Sequence, residues 1–295
     1  MNEALKRAIR RSFEAAAAGY DEAAFLQQEV ARRLDDHLEG MKIQPARILD
    51  AGCGTGFGLG LLARRFPEAR LLGLDLAHAM AGRARDRFAP ASLWKRWLGR
   101  VTGPDKVPTT LCGDLESLPL AGGSLDMIWS SLALQWVGPP DQAFAEARRV
   151  LREEGLFLFA SFGPDTLMEL RAASSGLDGH QHVNRFIDMH DLGDALVRAG
   201  FSGPVMEMEK IALTYATLPE LLRDLKAIGA HTVLENRRTG LMGKAEWRRL
   251  VDNYETFRRD GRLPATYEVV YGHAWAGPRE RLPDGRQVVH FKPRA

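Results

Sequence analysis

With 295 residues, 45% of them hydrophobic, the chain can bury one large core with additions, and its net charge of +2 is too mild to make nucleic acid the default partner. The only cysteines, Cys53 and Cys112, form no C-x-x-C pair and support neither a disulfide scaffold nor a zinc site, which fits a reducing cytoplasm. No apolar run approaches the roughly 20 residues of a membrane span and no signal-peptide core is present, so no membrane partner is expected.

Leu5, Ile9 and Phe13 recur at helical spacing, as do Leu26, Val30, Leu34 and Leu38. Residues 1–42 are therefore expected to form a helical extension outside the sheet, broken at Gly19-Tyr20-Asp21 and able to act as a lid. The basic start at 6–11 has Glu3 and Glu14 beside it and reads as a helix rather than a transit peptide. Tyr20, an aromatic at the break, is placed to cover a ligand.

Ile48 and Leu49 supply the end of a buried strand, and Asp50-Ala51-Gly52-Cys53-Gly54-Thr55-Gly56-Phe57-Gly58 continues it as a glycine turn. Alternating glycines let the backbone turn sharply and approach a ligand closely. No Gly-Lys-Ser/Thr follows Gly58, which argues against a nucleoside triphosphate. The spacing is not the G-x-G-x-x-G of dinucleotide folds, and Asp50 would repel a pyrophosphate while suiting the ammonium of an amino-acid-bearing ligand. The pattern resembles motif I of class I S-adenosylmethionine (SAM) methyltransferases. Gly52, Gly54 and Gly56 are the loop residues expected at the cofactor.

A helix over 59–66 follows, with its N-terminus toward the loop. Residues 70–75 read as a second strand ending in Asp75, about 20 residues beyond the turn, where Rossmann-like units place an acid on the ribose hydroxyls. Asp75-Leu76 is thus a cofactor pair, with a helix cap as the plainer role for the acid. Residues 90–108 look like a basic, aromatic insertion carrying Trp94, Lys95, Arg96, Trp97, Arg100 and Lys106, either a docking surface or a short packed helix. The third strand ends at 111–114, putting Asp114-Leu115 where SAM enzymes contact the adenine. The fourth, 125–131, points Ser131, Gln135 and Trp136 toward the pocket, because ligands in open α/β sheets bind beyond the carboxyl ends of strands.

A helix at 144–151, a turn at Glu154-Gly155 and a fifth strand at 156–162 complete a β/α alternation that predicts a parallel, doubly wound sheet. Beyond Gly163 the rhythm changes: a helix at 164–173, a loop at 174–179, a polar stretch at 180–186, a helix at 190–199 and a strand at 205–213. Helices at 218–228 and 244–259 and a strand at 266–275 follow. His180, His182 and His190 lack the carboxylate spacing of a known metal site, and no metal is expected. The domain expected to hold the site runs over 43–277, with 163–187 and 214–262 as substrate-side insertions and 278–295 as a tail.

Five motifs together resemble the BioC family, the malonyl-[acyl-carrier protein] O-methyltransferases of bacterial biotin synthesis. They are 50–56, 113–120 (Gly-Asp-Leu-Glu-Ser-Leu-Pro-Leu), 130–136 (Ser-Ser-Leu-Ala-Leu-Gln-Trp), 182–186 (His-Val-Asn-Arg-Phe) and 225–230 (Leu-Lys-Ala-Ile-Gly-Ala). The resemblance covers about 11–275, and the insertion at 90–108 departs from shorter members. It implies a Rossmann-like class I methyltransferase fold: a seven-stranded, mostly parallel sheet with helices on both faces, N-terminal helices and a helical lid. It also implies SAM as methyl donor and malonate on an acyl-carrier protein as acceptor. Residues 162–171 and 264–271 resemble, too, a mitochondrial complex I assembly factor of this fold regarded as an arginine hydroxylase; a small-molecule methyltransferase is a third reading.

A carboxylate acceptor is already ionised near neutral pH, so no general base is expected. A planar guanidinium could grip it, which makes Arg185 the first candidate and Arg171 the second. A carrier protein is acidic, so Arg237, Arg238, Arg248, Arg249, Arg258, Arg259 and the 95–100 segment are candidates for a docking face.

Overall fold

The computed structural model describes residues 2–89, 107–178, 180–230 and 242–277. Seven strands form one sheet: β1 (Arg47–Ala51), β2 (Arg70–Asp75), β3 (Thr109–Cys112), β4 (Leu125–Ser131), β5 (Leu151–Phe162), β6 (Phe201–Tyr215) and β7 (Leu263–Ala276). Their order is β3-β2-β1-β4-β5-β7-β6. The first five run parallel, and β7 is antiparallel to both β5 and β6. The order reverses between β1 and β4, which opens a crevice at their carboxyl ends, the place where sheets of this kind bind ligands.

Ten α-helices lie among the described residues: α1 (Glu3–Ala16), α2 (Tyr20–Ala23), α3 (Phe25–Asp36), α4 (Phe57–Arg65), α5 (His78–Arg87), α6 (Pro140–Val150), α7 (Met168–Ser174), α8 (Met189–Arg198), α9 (Leu218–Ala227) and α10 (Lys244–Glu255). Successive side chains of a strand face opposite sides. Ile48 accordingly joins a layer with Leu34, Leu59 and Trp129, while Leu49 joins the opposite one with Phe144, Phe157 and Phe159. Both layers are apolar because both faces of the parallel sheet are covered.

The structure revises several expected boundaries. α3 packs onto the sheet: Val30 and Leu34 are fully buried in the layer of Ile48. The break at Tyr20 is itself a single helical turn. α7 starts at Met168 rather than at 164, since Leu167 adopts a left-handed backbone with φ of 54°. β5 begins at Leu151, because Glu154 at φ 60° and a register shift opposite Leu125 and Met127 carry the strand through the expected turn. The expected insertion at 90–108 lies outside the described residues apart from its last two, and Arg237, Arg238 and the 278–295 tail lie outside them entirely. No helix among the described residues is long and apolar enough to cross a membrane.

Candidate active site

At the end of β1 the chain turns through Gly52 at φ +86°. A side chain there would put its Cβ 2.2 Å from that of Ala133, so the turn needs glycine for both its backbone sign and its closeness to the neighbouring loop. The amides of Gly52 and Cys53 donate to the Leu74 carbonyl at 2.7 and 3.0 Å, tying the loop to β2. Asp75 at the end of β2 ties it again: its Oδ2 accepts from Gly54 N–H at 2.9 Å and its Oδ1 from Ala77 N–H at 2.8 Å. Those bonds hold the carboxylate facing the crevice and leave lone pairs for a ligand.

Two clefts meet over this loop. One, of about 690 Å³, has Gly54, Asp75, Leu76, Asp114 and Leu115 on its floor and Ser131 and Trp136 at its end. The other, of about 440 Å³, contains Asp50, Cys53, Thr55, Gly58 and Trp129. Tyr20, Gly52, Gly54 and Ser131 line both, so the two form one continuous site.

The roof comes from the N-terminal helices. Lys6, Ile9 and Phe13 of α1 line the first cleft, and Lys6 Nζ lies 2.5 Å from Asp114 Oδ2 and also pairs with Glu116. Glu14 accepts from the His78 and Ala79 amides at 2.7 and 2.9 Å, fixing α1 to the start of α5. Phe13 packs edge-on against Trp136 with centroids 5.3 Å apart. Phe13→Ala is expected to weaken SAM binding about tenfold, about 1.4 kcal/mol, because it removes an aromatic wall. Calorimetric titration checks this, and an unchanged affinity would rule out α1 as part of the cofactor wall.

The cleft is acidic. Burial, and then the Asp75 charge, push Asp50 up to about 8. Burial likewise raises Asp75 to about 6 against its two backbone hydrogen bonds. The Tyr20 hydroxyl is driven upward by burial and by the charges of Asp75 and Asp21. Two carboxyls held above their ordinary range suit a cationic ligand, which would restore both to the ionised form.

A third cavity, of about 720 Å³, opens beside them. Phe162, Leu170, Val183, Phe186, Leu225 and Tyr267 make it largely apolar, with Gln27, Thr166, His182, Asn184 and Lys226 as polar members. It touches the first cleft at Trp136 and the second at Gln27.

Of the residues expected at the site, Tyr20, Asp50, Gly52, Gly54, Asp75, Leu76, Asp114, Leu115, Ser131 and Trp136 line the clefts. Gly56 does not: it caps α4 in a left-handed conformation. Gln135 does not line them either, since its Nε2 donates to Leu132 O at 2.7 Å. The two arginines are also elsewhere. Arg171 donates to the carbonyls of Pro164 and Thr166 at 2.7 and 3.0 Å, bracing the turn before α7, and Arg185 is exposed while its neighbours Asn184 and Phe186 line the third cavity. Sequence reading missed Lys6, Phe13 and Gln27, of which Phe13 alone had a visible signal in its helical spacing. Among the described residues no three His, Cys, Asp or Glu side chains gather as a metal site.

A family model described as a methyltransferase domain matches residues 49–159. The malonyl-[acyl-carrier protein] O-methyltransferase of Laribacter hongkongensis is 55% identical, over 98% of this chain and 97% of that protein. Its counterpart in Gallionella capsiferriformans is 51% identical over 98% of each. The chain belongs to the malonyl-[acyl-carrier protein] O-methyltransferase family. A chain of the complex between the Haloferax volcanii Trm112 methyltransferase activator and a methyltransferase shares the fold, with a TM-score of 0.56 at 19% identity, covering 93% of this chain and all of that one.

SAM is the methyl donor of this family member, and the residues present fit it. Among the described residues the buried polar atoms without partners include Asp50 Oδ2 and Trp129 Nε1, both in the second cleft. Buried polar groups are normally satisfied, so an orphaned carboxyl oxygen in an acidic cleft is chemically suited to a cationic ligand group. When bound, SAM supplies a methyl group made electrophilic by its sulfonium.

Proposed function

We infer that this protein transfers the methyl group of SAM to the free carboxylate of a malonyl thioester carried on an acyl-carrier protein. The product is the methyl ester that primes pimeloyl synthesis on the way to biotin. The observation that carries this reading is the 55% identity to a malonyl-[acyl-carrier protein] O-methyltransferase over 98% of the chain. The apolar cavity that meets the cofactor cleft at Trp136 and Gln27 supports it by offering an acyl group a place beside the donor.

Asp50 would hold the ammonium end of SAM, directly or through water; Asp75 would take the ribose hydroxyls, and Asp114 with Leu115 the adenine. Tyr20 would close over the junction between the clefts. The carboxylate needs no base, so the protein's work is alignment of an oxygen with the methyl group and exclusion of water. Esterification removes a charge, which would let machinery built for apolar acyl chains accept the product. The reaction belongs in the cytoplasm, in keeping with two free cysteines. Exposed Lys226 at the cavity wall, with Arg223 beside it on α9, offers the acidic carrier a cationic rim.

The hydroxylase and small-molecule readings are not favoured, since the relatives above carry the malonyl name along nearly their whole length. Purified protein with SAM and malonyl-carrier protein should give a methyl ester visible by mass spectrometry, and the gene should restore growth to a biotin-requiring bacterium lacking this step. SAM binding without methylation of any malonyl thioester would sink the assignment.

A further inference from the structure

The donor and acceptor spaces meet at two side chains. Trp136 borders the first cleft and the acyl cavity, and Gln27 borders the second cleft and the acyl cavity. Gln27 Oε1 is buried and has no hydrogen-bond partner among the described residues, and the same holds for Asn184 Oδ1 on the acyl-cavity wall. Two orphaned amide oxygens on residues that line one cavity point to a polar ligand there, since native folds leave few such groups unsatisfied. The unpartnered ends are oxygens, which accept; exchanging the N and O of each carboxamide by turning it end for end presents its N–H groups to a carboxylate.

The cations nearby are otherwise engaged or set back. Arg171 is held by two backbone carbonyls, Arg185 is exposed and within 3.3 Å of the Gln181 carboxamide once that amide is turned, and His182 sits 2.9 Å from Asp178. Lys226 lies at the exposed rim. We propose that the neutral amides of Gln27 and Asn184, rather than an arginine, position the acceptor carboxylate for attack.

The chemistry favours this choice. A carboxylate oxygen donates an electron pair to form the new C–O bond, the C–S bond breaks, and sulfur keeps its electron pair. One negative and one positive charge disappear together and no proton moves. A guanidinium gripping the carboxylate would stabilise the charge that the reaction must remove, favouring the reactants over the transition state. Amide N–H groups orient the oxygen while neutralising less of it. The apolar walls at Phe162, Leu170, Val183 and Phe186 strengthen the attraction between carboxylate and sulfonium as their charges cancel.

The inference rests on a malonyl thioester as acceptor, so the test starts with wild-type protein, SAM and malonyl-carrier protein. Gln27→Met, nearly the same shape without the amide, should lower kcat/KM at least about 30-fold, the scale expected when a charged substrate group loses a hydrogen bond. SAM affinity by calorimetry should fall by much less than kcat/KM, because Gln27 also borders the cleft that holds Asp50. Gln27→Glu, which sets a carboxylate against the substrate's own, should fall further. Asn184→Leu provides an independent arm: it touches the acyl cavity and neither SAM cleft, so kcat/KM should fall about as far while SAM affinity stays within about threefold. A Gln27→Met protein within about threefold of wild type, or activity lost in Arg185→Ala and kept in both amide variants, would overturn the proposal. Wild-type protein that methylates no malonyl thioester would overturn the functional reading, and this inference with it.

Discussion

Asp50→Asn should weaken SAM binding about 100-fold while making the ligand-free protein more stable. The opposed signs share one cause. Asp50 is 2% exposed, its Oδ2 has no partner among the described residues, and the Leu59 amide favours its charge. Losing the charged partner of a ligand ammonium costs about 2–3 kcal/mol, which is about 30- to 150-fold in affinity. Without ligand, that buried carboxyl is a liability, and an isosteric amide should add about 1–3 kcal/mol at pH 8.

The pH dependence follows with its own sign. The folded, ligand-free Asp50 titrates at about 8 against an ordinary 3.8, so the native state holds a proton that the unfolded chain has released between those values. Ligand-free stability therefore declines as pH rises from about 4 to about 8. Binding a cation runs the other way: it favours the carboxylate, so SAM affinity rises with pH toward 8, and at pH 7 binding releases close to one proton. Asp75, raised to about 6, adds a smaller release at lower pH. Calorimetry in buffers of differing ionisation heat reads the released proton directly. Asp50→Asn should abolish most of it, and a proton count unchanged in that variant would show that another group carries the linkage.

The parts of this site that were legible in sequence are those in which backbone geometry dictates residue type. Gly52 and Asp75 stand out because a turn or a strand end demands them, and the spacing between them is set by one β-α-β unit. What stayed hidden depends on how elements pack. Gln27 is one polar residue beside Leu26 on an amphipathic helix, and nothing local says that it faces a cavity rather than solvent; the seating of α3 by Val30 and Leu34 against the sheet decides that. In the 182–186 motif, charge drew attention to Arg185, but Val183 and Phe186 pack inward and leave Asn184 at the cavity and Arg185 outside. Gly56 belongs to the same glycine run, and its left-handed conformation serves the start of α4. The same constraint can select a residue for folding or for binding, and sequence spacing does not separate the two.

Gly52→Ala tests that separation at the residue where both meet. Gly52 sits at φ +86°, where an L side chain is strained, and the new methyl would lie 2.2 Å from the Cβ of Ala133. The left-handed backbone alone costs about 1–2 kcal/mol. The overlap forces the Ala133 segment away, and overpacking of this kind costs about 1–3 kcal/mol more. A total of about 3 kcal/mol should lower the unfolding midpoint by several degrees, about 2–4 °C per kcal/mol for a chain somewhat shorter than this one. The loss of function should be larger than the loss of stability. Gly52 lines both clefts, and Ala133 stands in the segment that carries Ser131 and Trp136, so displacing it moves the wall shared by donor and acceptor. SAM binding should fall below calorimetric detection at temperatures where circular dichroism still reports a folded protein. Folded Gly52→Ala protein that binds SAM within tenfold of wild type would show that the turn tolerates a side chain, and that this glycine serves the ligand less than the geometry requires.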